Sequence, residues 1–273
     1  MFEQSRIRTQ RSAAASMLEL IYHSTVRNVR KAHGNAVIGL LLTMMQSMLF
    51  IAAFFLMYSI LGLRGMAVRG DFVVFLMSGI FLFLTHTKAV GAVVGSEGPA
   101  NPMMLHAPMN TIVSICGAAL AQLYQQILAA ITILTVYSLL VTPVTIDRPI
   151  GAFGMFLLAW FSGVSVGIVF LALKPWAPSA IGVLSSIYMR ANMIASGKMF
   201  VANSLPPAML AMFDWNPLFH AIDQSRGFAF INYTPRNSSI EYPLYLSLVL
   251  IMIGLMIEFY TRKNASMSWG ARS

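Results

Sequence analysis

Long apolar runs separated by short polar stretches dominate the pattern of hydrophobic and polar positions along this chain of 273 residues. Six of these runs approach or exceed the roughly 20 residues that a helix needs to cross a bilayer. They cover residues 37–61, 72–94, 111–141, 150–173, 180–199 and 242–259. The pattern therefore predicts an all-α membrane protein with six transmembrane helices.

A different pattern precedes the first run. Ser16 and Glu19 have the spacing of a helix capping box. Apolar residues then recur at helical intervals, opposite a basic face that contains Arg27, Arg30 and Lys31. This pattern predicts an amphipathic helix on the membrane surface with its basic face toward anionic lipid. A soluble helix packed on a partner is the alternative. We therefore expect a cytoplasmic arm over residues 1–36 and a six-span domain over residues 37–273.

Residues 200–241, between the fifth and sixth runs, are rich in Trp, Phe and Met and are interrupted by prolines. Irregular backbone at membrane depth is tolerated only where protein or a water-filled cavity satisfies it. Short re-entrant helices would meet this condition, and an ordinary interfacial loop is the alternative. Asn216-Pro217 predicts the start of one such helix, because Asn is a strong N-cap and Pro suits the first turn.

The side chains of this region have predicted positions as well. We expect Trp215 at the membrane interface, where aromatic rings collect. Phe219 and Ile222 would face the bilayer or a neighbouring span, whereas Arg226 and His220 would lie near an outer opening.

Composition supports a membrane protein, because 58% of the residues are hydrophobic and 10% are charged. The only cysteine, Cys116, excludes an internal disulfide bond. With the N-terminus inside, Lys and Arg favour the cytoplasmic side by ten to six, which predicts that both termini are cytoplasmic. The net charge of +9 mostly reflects this topology. It therefore says little about cargo, and we expect no nucleic-acid partner.

Several motifs together resemble those of a known family. Ser196-Gly197, the run W-N-P-L-F-H-A-I-D at residues 215–223, and Arg226 resemble the segment before the last span of type-2 ABC exporter permeases. The closest branch moves capsular polysaccharide, O-antigen or teichoic acid. Val26-Arg27 and Arg30 resemble the family's entry sequence, although Gln46-Ser47 stands where many relatives carry Glu-Pro. The resemblance covers most of the chain.

The resemblance implies a homodimer that carries two copies of a separate cytoplasmic ATPase subunit. Its cargo would be a lipid-linked polysaccharide, exported across the bacterial inner membrane through a canal toward a periplasmic or outer-membrane partner. The chain has no G-x-x-x-x-G-K-[ST] phosphate loop, so ATP and Mg would be bound by the ATPase. We expect no catalytic residue, cofactor or metal on this chain.

Other functions stay open at this point. A permease of the same fold could export a drug, a lipid or another hydrophobic cargo, and a non-transporting scaffold is also compatible with the sequence. An intramembrane hydrolase is suggested by the G-x-S-x-G pattern at residues 163–167, but the spans that follow contain no His base. Gly163 and Gly167, like Gly91 and Gly95, are better interpreted as surfaces where helices pack closely.

The loop at residues 95–109 is rich in turn-forming residues. In the family, a short coupling helix at this place sits in a groove of the ATPase. The resemblance therefore assigns coupling to Glu97, Asn101, Met104, Leu105 and Pro108.

Polar residues within spans are costly and are therefore candidates for the substrate path. These candidates are Lys88, Gln122, Gln125 and Arg190, together with the aromatic stripe Phe50, Phe54 and Tyr58. Helix packing, or snorkelling in the case of Lys88, is an equally open interpretation. A gate in the re-entrant segment would comprise Trp215, Asn216, Pro217, His220 and Arg226.

Overall fold

The structure is a computed structural model that describes residues 10–31, 36–62, 71–98 and 110–264. Within these ranges every regular element is helical, and the helix positions follow the predicted apolar runs closely. The helices are α1 (Gln10–Lys31), α2 (Ala36–Ile60), α3 (Phe72–Val94), α4 (Thr111–Leu140), α5 (Pro149–Leu173), α6 (Pro178–Ala195), α7 (Pro207–Leu210), α8 (Pro217–Ala229) and α9 (Glu241–Asn264). A single 3₁₀ turn covers Ala202–Ser204.

Five of the described helices, α2, α3, α4, α5 and α9, are long and apolar enough to cross a membrane. Helix α6 occupies the predicted fifth span, but its 18 residues include three serines as well as Arg190 and Asn192, so it is less apolar. It therefore falls outside the set of membrane-length apolar helices. An all-helical membrane fold is thus confirmed with five candidate spans in the described residues.

Helix α3 lies at the centre of the bundle and contacts α2, α4, α5, α6 and α8. Its contact with α5 is close because glycines face it. A Cβ atom at Gly163 would lie 2.5 Å from the backbone oxygen of His86, and one at Gly167 would lie 2.8 Å from the Cβ of Val93. The predicted packing role of these two glycines is confirmed. Gly91 is in looser contact with α6, because a Cβ there would lie 3.7 Å from Met189 Sδ. For Gly95 the packing role stays a prediction.

Helix α1 packs along α4, where Ser24 sits directly against Gly117. Leu18 and Tyr22 remain exposed on the chain surface and are available to a membrane. The helix begins at Gln10, six residues before the predicted capping box at Ser16. A run of three alanines, residues 13–15, explains the earlier start, because Ala is the strongest helix former.

Candidate functional site: the segment between α6 and α8

The chain turns sharply after α6. Gly197 has a φ of +72°, a left-handed conformation that residues with a side chain rarely adopt. A Cβ at this position would also lie 2.6 Å from the ring of Phe219. The residues at this turn, Ser196–Val201, form neither helix nor strand. We call them the 196–201 segment.

Arg226 of α8 holds this segment. Its side chain is only 1% exposed. Nη1 donates to the carbonyl oxygens of Gly197 and Phe200 at 3.0 and 2.6 Å, and Nη2 donates to that of Lys198 at 2.7 Å. The guanidinium also lies 4.1 Å from the ring centre of Phe75 on α3. One side chain thereby satisfies three carbonyls that no helix satisfies, which is the condition for irregular backbone at membrane depth.

Lys198 is buried to the same extent, with 1% of its surface exposed. Its Nζ lies 3.6 Å from the ring centre of Phe83 on α3 and 5.1 Å from that of Phe54 on α2. Among the described residues this nitrogen has no hydrogen-bond partner. Aromatic faces attract cations, most strongly where water is excluded. The ammonium group is therefore held by ring faces.

Gly79 creates the space for this arrangement on α3. A Cβ there would lie 2.9 Å from Arg226 Nη2 and 2.9 Å from the Cα and the carbonyl oxygen of Lys198. The backbone of the 196–201 segment therefore touches α3 directly. Tyr58 of α2 adds a directional contact, because its hydroxyl donates to the carbonyl of Met199.

Helix α8 begins where the sequence predicts. The Asn216 side chain accepts a hydrogen bond from the backbone N–H of Leu218 at 3.0 Å, and Pro217 occupies the first turn. The amide nitrogen of Asn216 also donates to Asn192 Oδ1 at 2.8 Å and to the carbonyl of Ala195 at 3.0 Å. The cap of α8 therefore also satisfies the end of α6.

His220 fastens α8 to its surroundings. Its Nδ1 accepts from the backbone N–H of Ser239 at 3.0 Å, so Nε2 carries the hydrogen and donates to the carbonyl of Asp214 at 2.6 Å. Both ring nitrogens are thus used within the protein. This hydrogen-bonding pattern corresponds to a neutral imidazole.

Asp223 is surrounded by hydroxyl donors. It accepts from Tyr233, and from Ser238 at 2.6 Å. Burial, and then the charge of Asp223, raise the pKa of Tyr233 well above its usual range. Tyr233 therefore keeps its proton and remains a donor. The carboxylate is thereby committed to the loop that leads into α9.

Arg226 and His220 are both buried and bonded to backbone groups of the 196–201 segment and of the loops on either side of α8. Their expected place near an outer opening stays a prediction. Phe219 and Ile222 are each 1% exposed. Ile222 packs into a core shared with α3 and α5, and Phe219 packs with Phe213, so of the two expected positions the one facing lipid is excluded. Trp215, by contrast, is 59% exposed, as an interfacial anchor would be.

The aromatic stripe of α2 joins this region. Phe50 packs against Phe54 and Phe83, and Phe54 is buried beneath Lys198. The other path candidates lie elsewhere: Lys88 on α3, Gln122 and Gln125 on α4, and Arg190 exposed on α6. Within the described ranges no hydrogen bond or ion pair joins these four residues. The structure thus brings the aromatic stripe of α2 next to the segment between α6 and α8. The four polar candidates within the spans remain dispersed.

The loop at residues 95–109, to which the resemblance assigns coupling, is described only at its start, residues 95–98. Glu97 lies 3.7 Å from Arg27 of α1, and its backbone N–H donates to Ser114 Oγ of α4 at 3.1 Å. This end of the loop is therefore tied to both the surface helix and α4. The remaining predicted coupling residues, Asn101, Met104, Leu105 and Pro108, lie outside the described residues.

The G-x-S-x-G pattern lies within the continuous helix α5. Its Ser165 donates to the carbonyl of Ser162 at 2.7 Å. His86 contacts Ser162 Oγ at 2.9 Å through Nδ1 and the Tyr188 hydroxyl at 2.9 Å through Nε2. These contacts link α3, α5 and α6. A nucleophile elbow needs a sharp turn between strand and helix, which this geometry lacks.

Within the described ranges, no three His, Cys, Asp or Glu side chains are grouped so that they could hold a metal ion.

Sequence reasoning missed three residues of this site: Lys198, Asn192 and Gly79. Lys198 and Asn192 both fall within the predicted fifth span, where polar residues are costly. That cost was an available signal for both. Gly79 offered none, because only its neighbours in space give it a role.

Comparison with known proteins agrees with the motifs. The chain is similar to two sequences of the polysialic acid transport protein KpsM of Escherichia coli. One is 27% identical over 209 residues, which cover 72% of this chain and 76% of the relative. The other is 26% identical over the same shares. No family model matches the chain. These matches confirm the resemblance, indicated by the sequence motifs, to the type-2 ABC exporter permeases of the capsular-polysaccharide branch.

Proposed function

We propose that this chain is the membrane-spanning permease subunit of an ATP-driven exporter that moves a lipid-linked polysaccharide, capsular polysaccharide first, across the bacterial inner membrane. The observation that carries the proposal is the similarity to KpsM, a polysialic acid transport protein, over 72% of the chain. The five membrane-length helices are in keeping with it. The chain would act as a transport subunit and not as an enzyme.

In this proposal α6 also crosses the membrane, as the fifth of six spans, and the residues between α6 and α9 re-enter the membrane from the periplasmic side. Gly79, which contacts Lys198, lies seven residues after the start of α3, about 10 Å along a helix. The 196–201 segment and the Arg226 side chain of α8 therefore lie about 10 Å deeper in the membrane than the first residue of α3. The side-chain partners of their backbone groups, described above, are what such a depth requires.

A second copy of the chain would complete the path. Arg190 is exposed in the second half of α6, between exposed apolar residues such as Ile187 and Ile194. An arginine facing lipid at this depth is costly, so it calls for a partner or a water-filled path. A homodimer that pairs near α6 supplies both. The canal would then be bordered by α6 and by the aromatic stripe of α2.

Energy would come from two copies of a cytoplasmic ATPase that bind ATP and Mg and dock at the loop after α3. Both termini of the permease would then be cytoplasmic. A reporter active only in the periplasm and fused after residue 272 should stay inactive, whereas the same reporter inserted at residues 142–147 should be active. The opposite pattern would overturn this orientation.

The decisive experiment removes the chain from its host. We expect surface polysaccharide to disappear and lipid-linked polysaccharide to accumulate in the cytoplasm, with both effects reversed by the wild-type chain supplied from a plasmid. Unchanged surface polysaccharide without internal accumulation would overturn the proposed cargo. Increased sensitivity to drugs, together with intact polysaccharide, would favour the alternative exporter of the same fold.

A further inference from the structure

We propose that Lys198 and Arg226 form a latch that closes the outer end of the export path by seating two cations on aromatic rings of α2 and α3. The inference rests on the proposed function for the meaning of open and closed. When the latch opens, the cation–ring contacts to α2 and α3 break, whereas the hydrogen bonds between the 196–201 segment and Arg226 stay intact.

The contacts of the segment divide into two kinds. Toward α8, the segment is hydrogen-bonded through the three carbonyls that Arg226 holds, and Asn216 binds the carbonyl of Ala195 at the end of α6. These bonds are short and directional. The end of α6, the 196–201 segment and α8 therefore constitute one hydrogen-bonded unit.

Toward α2 and α3, the unit is held differently. Lys198 lies over Phe54 and Phe83, and Arg226 lies over Phe75. The hydrogen bond from Tyr58 to Met199 is the one directional bond among these contacts. Cation–ring attraction has no strict geometry and no unpaired partner remains on the rings after separation. Helix α8 also packs through Leu218 and Ile222 into a core that it shares with α3 and α5. The 196–201 end of the unit is therefore the part that can leave α2 and α3 while the bonds to Arg226 stay intact.

The burial of Lys198 identifies it as the part that carries the latch. Its Nζ has no hydrogen-bond partner among the described residues, although a permanently fixed buried ammonium would be expected to have one. Asp223, the carboxylate of α8, is occupied by Tyr233 and Ser238. The rings of Phe54 and Phe83 are thus what holds the Lys198 ammonium group. Because one ring belongs to α2 and the other to α3, a movement that separates these two helices would release it.

A pivot is available at the opposite end of α8. The carbonyls of Phe228 and Ala229 accept from the backbone N–H groups of Arg148 and Asp147 at 2.8 and 3.3 Å. These bonds keep α8 attached to the start of α5. Rotation about this attachment would lift the 196–201 segment from Gly79 and expose Phe54 and Phe83 to the path.

The test measures opening directly by thiol labelling. In a Cys116→Ala background, Val201→Cys places a thiol at a position that is 5% exposed. The full chain is reconstituted in lipid nanodiscs and treated with a membrane-impermeant maleimide. We expect Lys198→Met, which keeps the length and removes the charge, to raise the labelling rate at least about tenfold. Lys198→Arg should label like the parent, because a guanidinium also binds ring faces. Lys263→Met, at an exposed position on α9, is the matched control and should change nothing.

A second set of variants keeps Lys198 and removes the Phe83 ring over which it lies. Phe83→Leu should raise labelling as Lys198→Met does, and the double variant should label no faster than Lys198→Met alone, because both changes break one contact. Elution as a single species and an unchanged unfolding midpoint identify the variants that remain folded. Labelling that stays at the parent rate in folded Lys198→Met, or effects that multiply in the double variant, would overturn the latch.

Labelling needs neither cargo nor ATPase, so it separates the two proposals. Loss of the proposed polysaccharide function in the deletion experiment would leave the labelling result standing. Likewise, a labelling result that overturns the latch would not contradict the proposed polysaccharide export.

Discussion

The side-chain amide of Asn216 donates to the side-chain oxygen of Asn192, 2.8 Å away, and so fixes the first turn of α8 to the last turn of α6. Both side chains are buried, with 2% and 3% of their surfaces exposed. A helix cap usually serves only its own helix. Here the same side chain also positions a neighbouring helix, so a single substitution should affect both.

Replacing Asn216 with Ala should therefore reduce stability by more than the loss of a cap alone. Loss of the cap accounts for about 1 kcal/mol, and leaving the buried Asn192 oxygen unpaired adds about 1–3 kcal/mol. We expect a lower thermal unfolding midpoint in detergent and loss of export, with membrane insertion retained. Asn264→Ala, at the exposed end of α9, should leave both unchanged. Equal effects of the two substitutions would contradict the role assigned to Asn216.

The ion pair of Arg27 and Glu97 should transmit motion between α1 and the loop after α3, and it should add little to the free energy of unfolding. Their side chains are partly exposed, and surface ion pairs contribute about 0–1 kcal/mol. We expect Arg27→Glu or Glu97→Arg to lower export and its coupled ATP hydrolysis without shifting the unfolding midpoint. The double exchange should restore part of the activity, because the pair is re-formed with opposite polarity. Glu19→Lys, in the exposed pair with His23, serves as the control. No rescue by the double exchange would argue against a direct pairing.

The glycines of α5 offer a matched comparison within one helix. Gly163 faces α3, where an added methyl group would overlap the His86 backbone, whereas nothing in the described chain lies within 4 Å of a Cβ at Gly154. Gly163→Ala should therefore destabilise the chain by about 1–3 kcal/mol through overpacking. Gly154→Ala should be neutral or stabilising by up to about 1 kcal/mol, because Ala is the better helix former. Thermal unfolding of the two variants side by side checks this expectation.

Asp71, the N-cap of α3, should make stability depend on acid. Burial alone would raise the pKa of Asp71, but hydrogen bonds from Thr142, Tyr137 and the backbone of Val73 outweigh it and lower this pKa. A lowered pKa in the folded state means that the carboxylate stabilises the fold above its unfolded pKa of about 3.9 and loses this effect as pH falls below it. We expect Asp71→Asn to have a lower unfolding midpoint than the parent at pH 7. The difference should shrink toward pH 3, and a gap that stays constant would contradict the assignment.

The helices could be predicted from the sequence because a bilayer imposes a length and an apolar composition that are local properties. The start of α8 was predictable for a similar reason, since Asn216 and Pro217 determine it within one turn. Helix α6 shows the limit of this reasoning. Its position was predicted, but its polar side chains, among them Arg190 and Asn192, depart from the simple pattern.

The candidate site was predicted less well because its contacts join residues far apart in the chain. The sequence motifs single out Arg226, yet its carbonyl partners lie 26 to 29 positions earlier and give it an interior position. Lys198 falls within the predicted fifth span, but nothing near it in sequence reveals the rings of Phe54 and Phe83. Gly79 shows the same limit, since its role appears only when the 196–201 segment lies against α3.

The three carbonyls held by Arg226 also bear on the order of events during synthesis. Gly197, Lys198 and Phe200 leave the ribosome well before Arg226 does, and at about 5–20 residues per second the interval is roughly 1–6 s. Until then these carbonyls need water or a chaperone-like surface within the insertion machinery. Cross-linking of ribosome-bound chains that end before and after α8 should show the segment in contact with the translocon in the shorter chain and with α3 in the longer one. The fifth hydrophobic segment is therefore expected to wait at the translocon for its own downstream sequence before it is released into lipid.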